Sequence, residues 1–98
     1  MPIYAVQYDY DVNSASLRDQ HRPAHRDYLS RLTDEGSVLA RGPYADNAGG
    51  PGALLIMRAD SPEEIARLLD ADPFFEQGCI SSRRVREWEV LGDKHPFM

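Results

Sequence analysis

The order in which strand and helix patterns follow one another is the feature that most restricts how this chain folds. A strand is predicted over residues 2–12, where alternate positions place four large side chains on one face, those of Tyr4, Val6, Tyr8 and Tyr10. The glycine-rich residues 45–52 connect the first two of three further predicted strands, which span residues 37–44, 53–59 and 81–91. Because that connection is short, the two strands that it joins form an antiparallel pair.

The first helical region contains a proline. Pro23 lacks the backbone N–H that a helix interior needs, but it fits the first position of a helix. A short helical turn is therefore predicted over residues 16–21, and the main helix over residues 23–35. Gly36 is expected to end this helix, because glycine readily adopts the left-handed conformation that follows a helix C-terminus.

The second helical region has a clear start signal. Ser61 is the predicted N-cap, Pro62 the first helical residue and Glu64 the reciprocal capping acid. The helix is predicted to end near Asp70, because Pro73 disfavours helical geometry in the residue that precedes it.

The predicted order β-α-β-β-α-β is that of a ferredoxin-like monomer, an α+β fold in which two helices cover one face of an antiparallel four-stranded sheet. The first and third strands carry apolar side chains on both faces, with Tyr4, Val6 and Tyr8 opposite Ile3 and Ala5, and Leu54 and Ile56 opposite Leu55 and Met57. A large apolar face that the helices leave uncovered favours association. We therefore predict a homodimer in which the two sheets pack face to face.

The composition is that of one globular domain spanning residues 1–98, with 42% hydrophobic and 28% charged residues. The net charge is −5, and the densest basic group, Arg83, Arg84 and Arg86, is followed at once by acidic residues. Binding to nucleic acid needs clustered positive charge, so no nucleic-acid partner is predicted.

The sequence also favours a cytoplasmic location for the protein. No apolar stretch approaches the roughly 20 residues of a membrane helix, so no membrane partner is expected. The first residues do not follow the pattern of a signal peptide. Cys79 is the only cysteine, which excludes an intramolecular disulfide.

Two polar residues occupy positions on apolar helix stripes. His25 begins a stripe with helical spacing that continues through Tyr28, Leu29 and Leu32. Asp72 continues, with the same spacing, the stripe formed by Ile65, Leu68 and Leu69. An acid at a helix C-terminus is disfavoured by about 0.3–1 kcal/mol, so a buried Asp72 needs a partner, for which His25 is a candidate. A carboxylate bound to one imidazole nitrogen makes the other nitrogen a better base.

Other interpretations of these residues are open. A histidine on an apolar face is commonly a hydrogen-bonded core residue, and an aspartate before proline is commonly a turn or cap residue. His21 and His25 are four residues apart, but a metal site would need a third ligand and a continuous helix through Pro23. Nothing near Cys79 in the sequence favours it as a nucleophile. No metal or cofactor is therefore predicted.

Several short motifs follow one another at characteristic distances: Arg18, Arg22-Pro23-Ala24-His25, Gly36, Gly42-Pro43, Ser61-Pro62-Glu63-Glu64, and Asp70-Ala71-Asp72-Pro73-Phe74 with Gly78. Together they resemble the YciI-like (YCII-related) family over nearly the whole chain. The resemblance implies a dimeric α/β barrel, in which ferredoxin-like monomers pair through their sheets. It also implies that His25 and Asp72 are the family's His–Asp pair, proposed as an active-site dyad.

The resemblance further implies that Arg18, Arg22 and the Gly42-Pro43 turn line the same cavity as the pair. The best-understood relatives resemble muconolactone isomerase in fold, and they act on hydroxylated or chlorinated aromatic compounds, including a dehydrochlorination step. One departure is the Gly52-Ala53 segment, where the family often has a serine. Any role of that hydroxyl is therefore absent from this chain.

These residues predict a small cofactor-independent enzyme, an isomerase or a lyase. His25 would be the general acid/base, Asp72 would orient it, and Arg18 or Arg22 would bind a phenolate, enolate or carboxylate oxygen. An apolar wall for a small hydroxylated aromatic or lactone-like substrate is expected from Tyr8, Tyr44 and Phe74. Two alternatives stand beside this hypothesis: a non-catalytic module that binds a small ligand or assists a larger pathway, and a structural pair that only ties the helices together.

Overall fold

The computed structural model describes residues 1–46, 48–92 and 96–97. Within these residues, four strands and three helices follow in the order β1 Ile3–Tyr10, α1 Ala15–Asp34, β2 Val38–Pro43, β3 Gly52–Arg58, α2 Pro62–Asp70, α3 Pro73–Glu76 and β4 Ile80–Glu87. The strands form one antiparallel sheet in the order β2-β3-β1-β4. The predicted ferredoxin-like arrangement is confirmed.

The hydrophobic core lies on one face of this sheet. Side chains along β1 alternate between buried and half-buried, because successive residues of a strand point to opposite faces. The buried residues of β1 pair in register with inward residues of β3, through Tyr4 with Met57, Val6 with Leu55 and Tyr8 with Ala53. Helices α1 and α2 pack onto this same cluster through Leu29, Leu32, Ile65 and Leu69. Both predicted helix stripes therefore face the core.

The opposite face of the sheet exposes apolar side chains to solvent. Leu54 of β3 and Trp88, just beyond β4, are 39% and 41% exposed. They border a shallow groove together with Ala5, Ile56, Arg86 and Glu87. The apolar character predicted for this second face is therefore present on the surface of the chain.

Helix α1 is continuous through Pro23, whereas a short turn over residues 16–21 and a separate helix over residues 23–35 were predicted. The proline ring removes the hydrogen bond to the carbonyl of Asp19, a defect that costs about 3 kcal/mol in a helix interior. Burial of Leu29 and Leu32 contributes about 1.5–3 kcal/mol for each side chain. Packing of the second half against the core therefore compensates for the proline, and the predicted break is wrong.

The end of α1 depends on a glycine conformation, and the length of β4 depends on its neighbouring strand. Gly36 has a φ of +87°, which confirms it as the left-handed residue after the helix. Strand β4 ends at Glu87 rather than near residue 91, because its neighbour β1 begins at Ile3. The backbone N–H of Trp88 donates to the carbonyl of Ile3, where this neighbour starts.

Helix α2 begins as predicted, with the Ser61 hydroxyl accepting a hydrogen bond from the backbone N–H of Glu64 at 3.2 Å. After α2 ends at Asp70, the chain forms the single-turn helix α3, which was not predicted from the sequence. Asp72 is the N-cap of α3, with extended backbone angles and a 3.0 Å hydrogen bond from the Phe74 N–H. The predicted end of the helix at Asp70 is confirmed, and Asp72 is buried as its place on the stripe predicted, although it lies beyond α2. Asp72 is also a cap residue, as the alternative interpretation expected.

In the part of the chain that the structure describes, no helix has the length and apolar character that crossing a membrane requires.

Candidate active site

His25 and Asp72 are in direct contact in the folded chain. The imidazole Nδ1 lies 2.7 Å from the carboxylate Oδ1. His25 projects from the middle of α1, and Asp72 caps α3, so the contact joins two elements that are 47 residues apart in sequence. Asp72 is fully buried and His25 is 8% exposed. The two residues singled out on the helix stripes therefore meet at the edge of the core.

Two further donors converge on the Asp72 carboxylate. The Tyr8 hydroxyl donates to Oδ2 at 3.0 Å, and the Phe74 backbone N–H donates to Oδ1 at 3.0 Å. An ionised carboxylate can only accept hydrogen bonds, so the His25 Nδ1 carries the proton of the third bond. The lone pair of a neutral His25 is then on Nε2, the nitrogen that a base would use.

Phe74 holds the imidazole from a second direction. Its ring is stacked on the His25 ring, with centroids 3.8 Å apart and an angle of 4° between the planes. Phe74 is itself almost fully buried. The stacking fixes the plane of the imidazole, while the hydrogen bond to Asp72 fixes its rotation within that plane.

A cavity of about 200 Å³ opens next to His25. The other predicted site residues that line it are Arg18, Arg22, Tyr8, Gly42, Pro43 and Phe74. Asp72 is not part of the lining, since it contacts His25 and Tyr8 within the core. Tyr44, expected as part of the apolar wall, instead borders a separate groove next to Gln7 and Asp9.

Ala53 also lines the cavity. The family resemblance implies that a serine is common at this position. A methyl group therefore faces the cavity at this point in this chain.

Two arginines of the cavity, Arg26 and Arg41, and a second tyrosine, Tyr10, were not predicted from the sequence. Tyr10 shares the inward face of β1 with Tyr8, so the alternation of that strand could have indicated it. Arg26 follows Arg22 by four residues, which is the spacing of one helix face. Arg41 had no comparable signal, because its position depends on how β2 lies beside α1.

Arg18 is held in place by contacts with neutral groups. Its Nε donates to the Ser14 hydroxyl at 3.0 Å, and that hydroxyl donates to the Asp11 carbonyl at 2.6 Å. The guanidinium carbon lies 4.8 Å from the centroid of the Tyr10 ring, at cation–π distance. These contacts orient the guanidinium without neutralising its charge.

The environment of the cavity changes the acidity of its tyrosines. Burial, reinforced by the neighbouring Asp72 carboxylate, raises the pKa of Tyr8 far above its ordinary value. Burial and Asp72 also raise the pKa of Tyr10 to about 12, although Arg18 and Arg22 act in the opposite direction. Both phenols therefore keep their protons at neutral pH and can donate hydrogen bonds.

Cys79 is buried and is not among the residues that line the cavity. Burial raises the pKa of its thiol, which disfavours the reactive thiolate. Among the described residues, no three His, Cys, Asp or Glu side chains come together as a metal site would require.

Residues 2–89 match the YCII-related domain. The chain belongs to the YCII-related domain family. It is 30% identical over 79 residues to the uncharacterised protein YjpA of Bacillus subtilis (strain 168), covering 81% of this chain and 88% of that protein. It is 29% identical over 96 residues to the protein YciI of Escherichia coli O6:H1, covering 91% of this chain and 98% of that protein. The family resemblance predicted from the motifs is confirmed.

The fold of this YCII-related chain is similar to a solved structure of 5-chloro-2-hydroxyhydroquinone dehydrochlorinase (TftG) from Burkholderia phenoliruptrix AC1100, in complex with 2,5-dihydroxybenzoquinone. The TM-score is 0.76 with 25% sequence identity, over 89% of this chain and 93% of that one. In that protein, the same fold therefore forms an enzyme whose structure contains a bound small molecule.

Proposed function

We propose that this YCII-related protein is an enzyme that transfers a proton on a small hydroxylated aromatic or lactone-like substrate, as an isomerase or a dehydrochlorinase-type lyase. The observation that carries the proposal is the position of His25. Its ring lines a cavity, while its Nδ1 is bound to a fully buried carboxylate. This combination is what a general base needs, because it fixes the tautomer that leaves Nε2 unprotonated.

In the first step, Nε2 of His25 accepts a proton from a carbon or hydroxyl of the substrate. The imidazolium that forms is stabilised by the Asp72 carboxylate 2.7 Å from Nδ1. Negative charge moves onto a substrate oxygen, and the guanidinium of Arg18 or Arg22 stabilises it there. Hydrogen bonds from Tyr8 and Phe74 keep the carboxylate in position during this change of charge.

The second step depends on the substrate. If the imidazolium returns the proton to a different carbon, the product is an isomer. If an adjacent carbon carries chloride, the electron pair expels it and the reaction is an elimination. The activity named for the structural neighbour, a dehydrochlorinase, supports including this second course.

The size of the cavity agrees with a substrate of one ring. A cavity of about 150 Å³ is enough to hold benzene. The cavity beside His25, at about 200 Å³, therefore has room for a single ring with small substituents. The ligand named for the structural neighbour is likewise a one-ring quinone, which supports this substrate class.

We also propose that the unit of residues 1–98 is a single domain that forms a homodimer through the uncovered face of its sheet. Leu54 and Trp88 leave an apolar groove exposed there. Burial of apolar area contributes about 25 cal/mol per Å², so pairing this face stabilises a dimer. Sedimentation equilibrium tests this, with a dimer expected for the natural sequence and a monomer for Leu54→Asp. A monomeric natural protein would contradict the proposal.

Activity assays with matched histidine variants test the catalytic proposal. Chloride release is measured with a chlorinated hydroxyhydroquinone, and incorporation of deuterium from solvent is measured with unsaturated lactones. We expect His25→Gln to lower turnover by about 10²–10⁴-fold, the contribution typical of general acid–base catalysis. His21→Gln is the control, since His21 is on the same helix but is not part of the cavity lining.

The outcomes separate three kinds of protein. Turnover that requires His25 supports the enzyme. Binding of these compounds with no turnover in the natural protein would indicate a ligand-binding module. Neither binding nor turnover, together with strong destabilisation by Asp72→Asn, would indicate that the pair serves only to join α1 and α3.

A further inference from the structure

The cavity has a charge opposite to that of the chain as a whole. The chain has a net charge of −5. Four arginines nevertheless line the cavity, namely Arg18, Arg22, Arg26 and Arg41. No carboxylate is among the side chains that line it in the described part of the chain. Positive charge is therefore concentrated beside His25.

Most of this positive charge has no carboxylate partner among the described residues. Arg22 pairs with Asp19, at 2.6 Å on an exposed part of α1. Arg41 contacts the neutral hydroxyl of Ser30, and Arg18 contacts the neutral hydroxyl of Ser14. Within residues 1–46, 48–92 and 96–97, no carboxylate pairs with Arg18, Arg26 or Arg41.

The arginines and the base lie along one side of α1. Arg18, Arg22 and His25 are separated by four and then three residues, which is the spacing of a single helix face. With a rise of about 1.5 Å per residue, Arg18 lies about 10 Å along the helix axis from His25, and Arg22 about 4.5 Å from it. An anionic group at the arginine end is therefore separated from the base by roughly the length of a substituted ring.

We propose that the cavity selects one-ring substrates that carry a carboxylate in addition to the hydroxyl or enol group that reacts. This inference rests on the proposed function and specifies its substrate class as small aromatic or enolic acids. Arg18 and Arg22 bind the carboxylate, and the reacting end of the ring lies at His25. Two oxygens of a carboxylate match the two N–H groups of a guanidinium edge, whereas a phenolate offers a single oxygen.

The pre-set orientation of Arg18 supports its assignment as the main carboxylate ligand. Its Nε is already bound to Ser14, and its guanidinium lies over the Tyr10 ring. The terminal nitrogens of Arg18 have no carboxylate partner within the described part of the chain. Less side-chain freedom is then lost when a ligand binds, which favours affinity.

Two compounds of nearly equal shape test the charge requirement. Isothermal titration calorimetry compares 3-hydroxybenzoate with the neutral 3-hydroxybenzamide, using the full chain. We expect 3-hydroxybenzoate to bind at least about tenfold more tightly, since hydrogen bonds to charged groups are stronger than neutral ones. Equal affinity for the two compounds would overturn the proposal.

Arginine variants test the assignment. Arg18→Gln should weaken binding of 3-hydroxybenzoate by about tenfold or more. Arg18→Lys keeps the charge and the helix propensity, and should give an intermediate affinity because it lacks the planar fork. Arg67→Gln is the control, because Arg67 is an exposed residue of α2 that is not part of the cavity lining. An affinity that Arg18→Gln leaves unchanged would overturn the proposal.

This test is independent of catalysis. Selective binding of 3-hydroxybenzoate, weakened by Arg18→Gln, supports the carboxylate site even if His25 catalyses no proton transfer. Turnover that requires His25 but is equally fast on neutral and anionic compounds would support the proposed enzyme activity and refute the carboxylate requirement.

Discussion

Replacement of Tyr8 by phenylalanine removes a single hydroxyl from the network around Asp72. In the native chain that hydroxyl donates to Oδ2 of Asp72 at 3.0 Å, and both side chains are fully buried. The Oδ1 atom keeps its two donors, His25 and the Phe74 N–H. In Tyr8→Phe, Oδ2 therefore becomes a buried, charged acceptor that has lost its donor.

The expected loss of stability follows from the charge on the acceptor. A hydrogen bond to a charged group contributes about 1.5–3 kcal/mol, compared with about 0.5–1.5 kcal/mol for a neutral pair. We therefore expect Tyr8→Phe to lower the free energy of unfolding by about 2 kcal/mol. In a chain of this size that corresponds to a fall in Tm of roughly 8–16 °C.

Urea unfolding followed by circular dichroism measures this change, with Tyr28→Phe as the control. The Tyr28 hydroxyl donates to the neutral Leu68 carbonyl at 2.6 Å in a partly buried site. Its removal should cost about 1 kcal/mol, within the range for a neutral pair. The same Tyr8→Phe change in an Asp72→Asn background isolates the contribution of the carboxylate charge. A loss of unfolding free energy in Tyr8→Phe that is equal in both backgrounds, or smaller than the loss in Tyr28→Phe, would refute a stabilising bond from Tyr8 to the carboxylate charge.

Three further experiments test other features of the structure. In Asp72→Asn, nitrogen-15 NMR of the His25 ring should show a larger fraction of the Nε2–H tautomer, and an unchanged tautomer would contradict the assigned network. Because burial raises the pKa of Tyr10 to about 12, the unfolded chain loses this proton at lower pH than the folded chain. The contribution of Tyr10 to stability should therefore be full below pH 10 and fall by roughly 1.4 kcal/mol per pH unit up to about pH 12. Tyr8, whose pKa burial also raises, steepens the total slope, which should become shallower by the Tyr10 share in Tyr10→Phe. A Cβ at Gly52 would collide with the backbone oxygen of Tyr8, so Gly52→Ala should cost about 1–3 kcal/mol in urea unfolding, whereas Gly42→Ala, with open space around it, should cost much less. Equal losses for the two glycine variants would show that this close contact does not limit the site.

The fold was predictable because two periodicities alternate along the chain. The period-2 pattern of β1 and the 3.6-residue pattern of the helices both reflect which side chains are buried, and burial of apolar side chains stabilises the fold. Pro23 was misjudged because a local rule against proline was applied where the packing of Leu29 and Leu32 dominates. Local propensity is a weak constraint wherever tertiary burial opposes it.

The site was only partly predictable. His25 stood out because a polar residue on an apolar stripe needs a partner, and Asp72 stood out for the same reason. Nothing in the sequence indicated the partner of the Tyr8 hydroxyl. The hydroxyl of an inward tyrosine on a strand can equally bind a ligand or an acceptor in the core. Arg41 was missed because its contribution depends on how β2 and α1 lie next to each other, which no local pattern specifies.

Phe74 acts on the pair through two chemically separate parts of one residue. Its backbone N–H holds Asp72, and its ring holds the His25 imidazole. The first contact is preserved in every substitution at position 74 except proline, whereas the second depends on the side chain alone. The variants Phe74→Leu, Phe74→Tyr and Phe74→Trp therefore change the side chain that packs on the His25 ring. In all three, Asp72 keeps its hydrogen bond from the backbone N–H of residue 74. Position 74 thus offers a way to tune the imidazole that leaves both of the paired residues in place.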